Sequence, residues 1–234
     1  MFYSWCSDLW LVEFYSMMFT YKTIGALTGL FLCVFLIVHL SANCLLLLPE
    51  STARELYNAY SETLRESLLI KLVAYALYAS ILLHLLFAAV ITVKNRKARP
   101  KGYRQYNYKK NSSWVSQNMG LLGVAILLFL VVHLANFWSR IKLGLGEQVG
   151  TDPWGYLDVY QVTYNLFQNP WFVVFYSLLM IPLGFHLYHG FKSAFLTLGL
   201  YHHRVLKTVS KVALVYALIM TIGFGLIPLV VYFK

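Results

Sequence analysis

Charge is scarce in this 234-residue chain: Asp, Glu, Lys and Arg together make up 12% of it, against 59% hydrophobic residues. With a mean hydropathy of +0.63, that balance excludes an ordinary soluble domain. Cysteine is also scarce. Cys6, Cys33 and Cys44 form no CxxC and no CxxCH, which leaves no disulfide framework, no thiolate cluster and no covalent c-type haem attachment. The strand alternation of an outer-membrane barrel is missing. The N-terminus lacks the basic start of a secretory signal, with no Lys or Arg before Lys22. Acidic residues number nine against 19 basic ones, and none falls within the long apolar runs.

Those runs are what the chain does have. Five of them, at about residues 24–48, 68–93, 116–139, 170–198 and 208–232, are long enough to cross a bilayer as helices. The expected fold is all-α and integral to the membrane, a bundle of five transmembrane helices occupying residues 1–234 as one domain. Residues 1–20 are rich in aromatics, with Asp8 and Glu13 interspersed, and read as an interfacial segment along the membrane surface.

The net charge of +10 would suit nucleic acid, but its placement points to topology instead. Eight basic residues fall between Lys94 and Lys110 with no acid among them, and Arg204, Lys207 and Lys211 precede the fifth run. The segments Glu50–Glu66 and Arg140–Asp158 carry most of the acids. The positive-inside rule then places the N-terminus and the loops after the second and fourth helices in the cytoplasm. No nucleic-acid partner is implied.

Four of the seven histidines lie one to a run: His39, His84, His133 and His186. The segment Phe35-Leu36-Ile37-Val38-His39-Leu40 parallels Phe129-Leu130-Val131-Val132-His133-Leu134, and Gly29 and Gly123 precede the two histidines at the same offset. Helices 2 and 4 share less, chiefly His84-Leu85 and His186-Leu187. A two-helix unit used twice, with the fifth helix added, fits this pattern.

Helix rise puts His39 and His133 at about 25 Å from the basic edge and His84 at about 15 Å. On the fourth run, His186 and His189 share a face, and spacing leaves open which belongs to the layer of His84. Two imidazole pairs at two depths suit two b-type haems held by axial ligands. Zinc would need three or four ligands at one depth, and a proton relay would bring buried carboxylates, which the helix centres lack. Gly25, Gly29, Gly120 and Gly123 read equally as walls for a flat macrocycle or as close helix contacts. A transporter would show helices broken near the midplane, for which Pro182 and Gly184 are the sole hint. His202 and His203 read as solvated residues of the basic loop.

Several segments resemble a known family: Phe35–Asn43, Asn95-Arg96-Lys97-Ala98-Arg99-Pro100, Phe129–Trp138, Gln168-Asn169-Pro170-Trp171 and His186–Leu200. They are similar to the single-chain, five-helix, di-haem cytochrome b subunit (the b558 type) of succinate dehydrogenases and fumarate reductases. The likeness covers about residues 20–234. It implies a multi-pass anchor in the cell (inner) membrane, with a flavoprotein subunit and an iron–sulfur subunit docked on the cytoplasmic face. It further implies two haems b and a quinone substrate, menaquinone or ubiquinone. His84 and His186 would be the iron ligands of the inner haem, and His39 and His133 those of the outer. The family's helix-4 ligand stands four residues before a glycine, which selects His186, with Gly190, over His189. The dicarboxylate site would belong to a partner subunit.

One position departs from the family. Some members carry a Glu two residues before the helix-4 ligand, assigned to a proton path; here it is Gly184, and no path is expected there. Glu62 and Glu66 do not align convincingly with a quinone-site carboxylate and read as solvated charges at the start of the second crossing. The alternative assignment is the cytochrome b subunit of another quinone-linked enzyme, such as a hydrogenase or formate dehydrogenase.

Overall fold

The structure is a computed structural model that describes residues 2–97 and 113–234, with side chains from Met17 onward. Residues 98–112, which hold most of the basic run and part of the Asn95–Pro100 segment, lie outside the described residues.

Among the described residues, five helices are long and apolar enough to cross a membrane, which makes the chain an all-helical, multi-pass membrane protein. They are α1 (Phe2–Asn43), α3 (Leu68–Lys97), α4 (Met119–Leu143), α6 (Pro170–Thr197) and α7 (His203–Tyr232). Two short helices join them: α2 (Glu50–Glu66), between α1 and α3, and α5 (Val159–Phe167), between α4 and α6. Among the described residues, the only strand-like pairing is one bridge, Thr151 to Leu157.

Local chemistry marks the boundaries. The Asn169 side chain accepts from Trp171 N–H and Pro170 takes the first turn of α6, where proline has the required φ and needs no hydrogen bond. Asp158 caps α5 by accepting from Gln161 N–H. Gly144, at φ +63°, ends α4 in the left-handed conformation that terminates helices cheaply only at glycine. Within α4 the residues immediately after His133, Leu134–Trp138, wind as a π-helix, a local underwinding that alters the register of everything beyond it.

The bundle has two unlike ends. The cap end carries α2 and α5, with six bases and seven acids; the basic end carries Lys22, Lys94, Arg96, Lys97, Lys192, Arg204, Lys207 and Lys211 among the described side chains. Inside the bundle α7 is clasped by α1 and α6. Tyr216 donates its hydroxyl to the Cys33 carbonyl at 2.8 Å, and Ser177 donates to the Gly225 carbonyl at 2.9 Å. A Cβ at Gly184 would lie 2.1 Å from Thr221 Oγ1, and one at Gly223 2.8 Å from Leu40 Cδ2. These glycines are sites of close helix approach, the usual way membrane helices gain packing contact. By contrast, no residue of α3 is buried.

One expectation needs correction, the placement of Glu62 and Glu66. The segment Glu50–Glu66 is itself the helix α2, and α5 begins directly after Asp158; their apolar faces pack on the end of the bundle through Ala53, Tyr160 and Leu166. Glu62 and Glu66 accordingly end α2 rather than start the second crossing. Glu62 pairs there with Arg65 one turn on. Residues 2–20 are helical and continue into the first crossing without interruption.

The cap is held by a buried polar knot. Asn58, fully buried, donates to Asp152 Oδ2 at 3.0 Å and to Asp158 Oδ1 at 2.9 Å, and accepts from Tyr160 N–H at 2.8 Å. Asp158 also receives the Arg54 guanidinium, and Asp152 accepts from the N–H groups of Trp154 and Tyr156. Buried polar groups remain tolerable when each is satisfied in this way. The Lys234 ammonium donates to the carbonyls of Leu46 and Leu48, fastening the end of α7 to the turn after α1.

Candidate functional site

The histidines meet in two pairs. His39 on α1 faces His133 on α4, ring centroids 5.9 Å apart and planes at 83°. His84 on α3 faces His186 on α6 at 6.3 Å and 73°. Each pair therefore draws one ring from α1 or α3 and one from α4 or α6. The pairs lie at different levels. Gly29, whose added Cβ would touch His84 Cε1 at 3.1 Å, precedes His39 by ten residues of the same helix, or about 15 Å of rise.

In the first pair the rings are held by aromatic neighbours. Phe35 stacks on His39 at 5.2 Å and 15°, and Phe129 stacks on His133 at 5.5 Å and 20°. These are the same i−4 positions of the repeated segment, so the repeat in sequence is also a repeat in geometry. Phe137 and Tyr176 complete the surroundings of His133, and Phe224 adds a ring beside His39. Asn136, in the π segment, donates to the Tyr176 hydroxyl at 3.2 Å.

The second pair is held differently. His84 Nδ1 lies 3.2 Å from the Gly25 carbonyl oxygen and 3.4 Å from Thr28 Oγ1. A carbonyl can only accept, so Nδ1 carries the proton and Nε2 keeps its lone pair. Thr28 donates its own proton to the Ile24 carbonyl at 2.7 Å, freeing its oxygen to accept. A backbone carbonyl fixing the tautomer in this way is the common outer partner of a metal-ligating imidazole. His189, three residues beyond His186, faces no paired ring among the described residues, and the ring set against His84 is that of His186.

What such pairs can hold follows from donor count and spacing. Among the described residues no three His, Cys, Asp or Glu side chains cluster as a metal site, so zinc's usual protein ligand set is not formed. Two opposed imidazoles suit an ion whose other positions are filled by its own macrocycle. With metal–nitrogen bonds of about 2 Å, opposed imidazole centroids stand roughly 6 Å apart, which both pairs match. The reading of these histidines as helix-contact residues fits less well. The buried Nδ1 atoms of His133 and His186 have no hydrogen-bond partner among the described residues, and only His84 bonds to another helix. Nor are the crossings broken, since α6 runs through Pro182 and α7 through Pro228.

The glycines divide in their roles. Gly29 lets His84 come close, and Gly120 backs on Thr92 at 3.4 Å. A Cβ at Gly25, Gly123 or Gly190 would meet no atom within 4 Å, so packing between described helices does not require glycine there. Thr28, Tyr176 and Phe224 carry no local sequence signal for a role beside the histidines, although Phe35 and Phe129 stand within the repeat.

No model of a known protein family, no curated protein and no solved structure matches the chain. The functional reading therefore rests on the residues themselves.

Proposed function

We propose that this chain is the di-haem cytochrome b anchor subunit of a succinate:quinone oxidoreductase, working between an iron–sulfur partner and a membrane quinone, with menaquinone the first candidate. The observation that carries this reading is the pair of facing histidine couples at 5.9 and 6.3 Å in a five-crossing bundle. Haem b, when bound, supplies one-electron transfer at a potential set by its axial ligands and burial.

The chain's own residues orient and enclose. The Gly25 carbonyl holds His84 with Nε2 free for a metal, while Phe35 and Phe129 limit rotation of His39 and His133. Each of the four rings is partly buried among the apolar helices. At Gly184, a side chain would collide with Thr221, so the bundle offers no room for a carboxylate at the position where some members of the proposed family place one.

The basic end is the proposed cytoplasmic face and docking side for the flavoprotein and iron–sulfur subunits. Its concentration of Lys and Arg supports this orientation. The test is a pyridine haemochrome assay on the purified chain together with identification of co-purifying subunits. Two haems b per chain and a partner with covalent flavin are expected. Zero haem, or a nickel or molybdenum partner, would overturn the assignment.

A further inference from the structure

The basic end holds a feature that the histidine pairs do not use. A groove of about 480 Å³ runs between the last turns of α6 and the first turns of α7. Lys192 lines it from α6 and Lys207 and Lys211 from α7, with His203 at its mouth and Leu206 and Leu214 along its length. Lys207 and Lys211 stand four residues apart on one helix face, where like charges repel. The ion pairs among the described residues are Arg54–Asp158, Arg65–Glu62 and Arg140–Glu147, so none engages these lysines. Neither α6 nor α7 contains an acid. The amino end of α7, where the backbone dipole is positive, adds to the field, and its preceding residue His202 provides no side-chain cap.

The direction of the groove selects its occupant. From His203 to Leu214 it follows α7 for about 16 Å of rise, from the helix end into the apolar crossing. Leucine and lysine alternate along it, Leu206 beside Lys207 and Leu214 a turn beyond Lys211, and Leu214 is 49% exposed. A soluble acidic protein could reach the helix end but not the side wall of a membrane crossing. Lysine stems lying along apolar surface with their ammonium groups at the interface are arranged to meet a phosphate above an acyl chain.

We propose that the α6–α7 groove binds an anionic phospholipid, its phosphate between Lys192, Lys207 and Lys211 and an acyl chain against Leu206 and Leu214. This site is independent of the histidine pairs and of the function proposed above.

The test uses the full chain, delipidated in detergent, with whatever subunits accompany it. Phosphatidylglycerol, phosphatidylcholine or inorganic phosphate is added, and the thermal midpoint and the lipid retained in native mass spectrometry are recorded. Phosphatidylglycerol is expected to raise the midpoint and remain bound, while the other two do neither. At about 1 kcal/mol per interfacial cation, Lys192→Gln, Lys207→Gln and Lys211→Gln together should lower phosphatidylglycerol affinity on the order of a hundredfold. The corresponding triple Arg variant should retain it, which guards against a folding defect in the Gln variant. An unchanged response in the Gln variant overturns the proposal. So does an equal response to phosphatidylcholine, or one reproduced by inorganic phosphate, which would make the groove a small-anion site. Loss of a soluble subunit from the Gln variant with lipid binding intact would also overturn it, by making the groove a protein-docking face.

Discussion

His84 on α3 donates its Nδ1–H to the carbonyl oxygen of Gly25 on α1 at 3.2 Å, about four turns of α1 before His39. This single bond distinguishes the two levels of the bundle. One histidine is oriented by backbone, whereas the rings of the other level are oriented by stacked phenylalanines.

Ligand replacement should therefore follow the pairs. His39→Ala or His133→Ala is expected to remove the same haem, and His84→Ala or His186→Ala the other, each lowering the pyridine haemochrome count from two per chain to one. His189→Ala should leave two. Loss of a haem in the His189 variant with retention in the His186 variant would reverse the choice between them.

Gly29→Ala is a finer probe of the second level. The added methyl would sit 3.1 Å from His84 Cε1, close enough to push the ring by a few tenths of an ångström and lengthen its bond to Gly25. The expected result is a shifted low-spin EPR signal for one haem with the other unchanged. Identical spectra at both levels would show that His84 has slack to absorb the change.

Gly184→Ala probes packing away from the histidines. Its Cβ would lie 2.1 Å from Thr221 Oγ1, so α6 and α7 must part or Thr221 must rotate, an overpacking cost of about 1–3 kcal/mol. A lowered thermal midpoint in detergent is expected, with partial recovery in the Gly184→Ala, Thr221→Ala double variant. Additive losses in that double variant would mean the two positions do not clash.

The cap should respond to acid. Burial alone would raise the Asp158 carboxyl, but hydrogen bonds from Arg54, Asn58 and the Gln161 N–H outweigh it and hold the group below its usual value of 3.8. A depressed carboxylate contributes stability above the unfolded value and loses it as pH falls through the folded one. The segment 144–158 should thus resist proteolysis at neutral pH and become susceptible below about pH 4. Asn58→Ala, which leaves two buried carboxylates short of a donor, should cost about 1–3 kcal/mol and bring that susceptibility to neutral pH. A cleavage rate independent of pH in the parent chain would remove Asp158 from this role.

The crossings and the partnering of their histidines were legible because both are written in local pattern. An uninterrupted apolar run spans a membrane whatever its neighbours do, and spacing along antiparallel helices sorts His39 with His133 by depth alone. His186 and His189 share a face, so only the approach of α3 separates them. The cap was hidden for the opposite reason. Asn58 meets Asp152 and Asp158 across about a hundred residues of chain, and nothing near any of the three marks the meeting. The polar residues of α2 spoke for topology before they spoke for a helix, and the π segment after His133 has no signature in Leu134–Trp138 that differs from ordinary apolar helix.

Each histidine couple spans the repeat, taking one ring from the α1–α3 half and one from the α4–α6 half. A group bound in either couple would then be a bolt between the halves, and one held by His84 and His186 would fasten α3, which buries none of its own residues. Insertion of such groups would become part of the assembly of the bundle itself, and the halves of the repeat would not need to be stable partners before it.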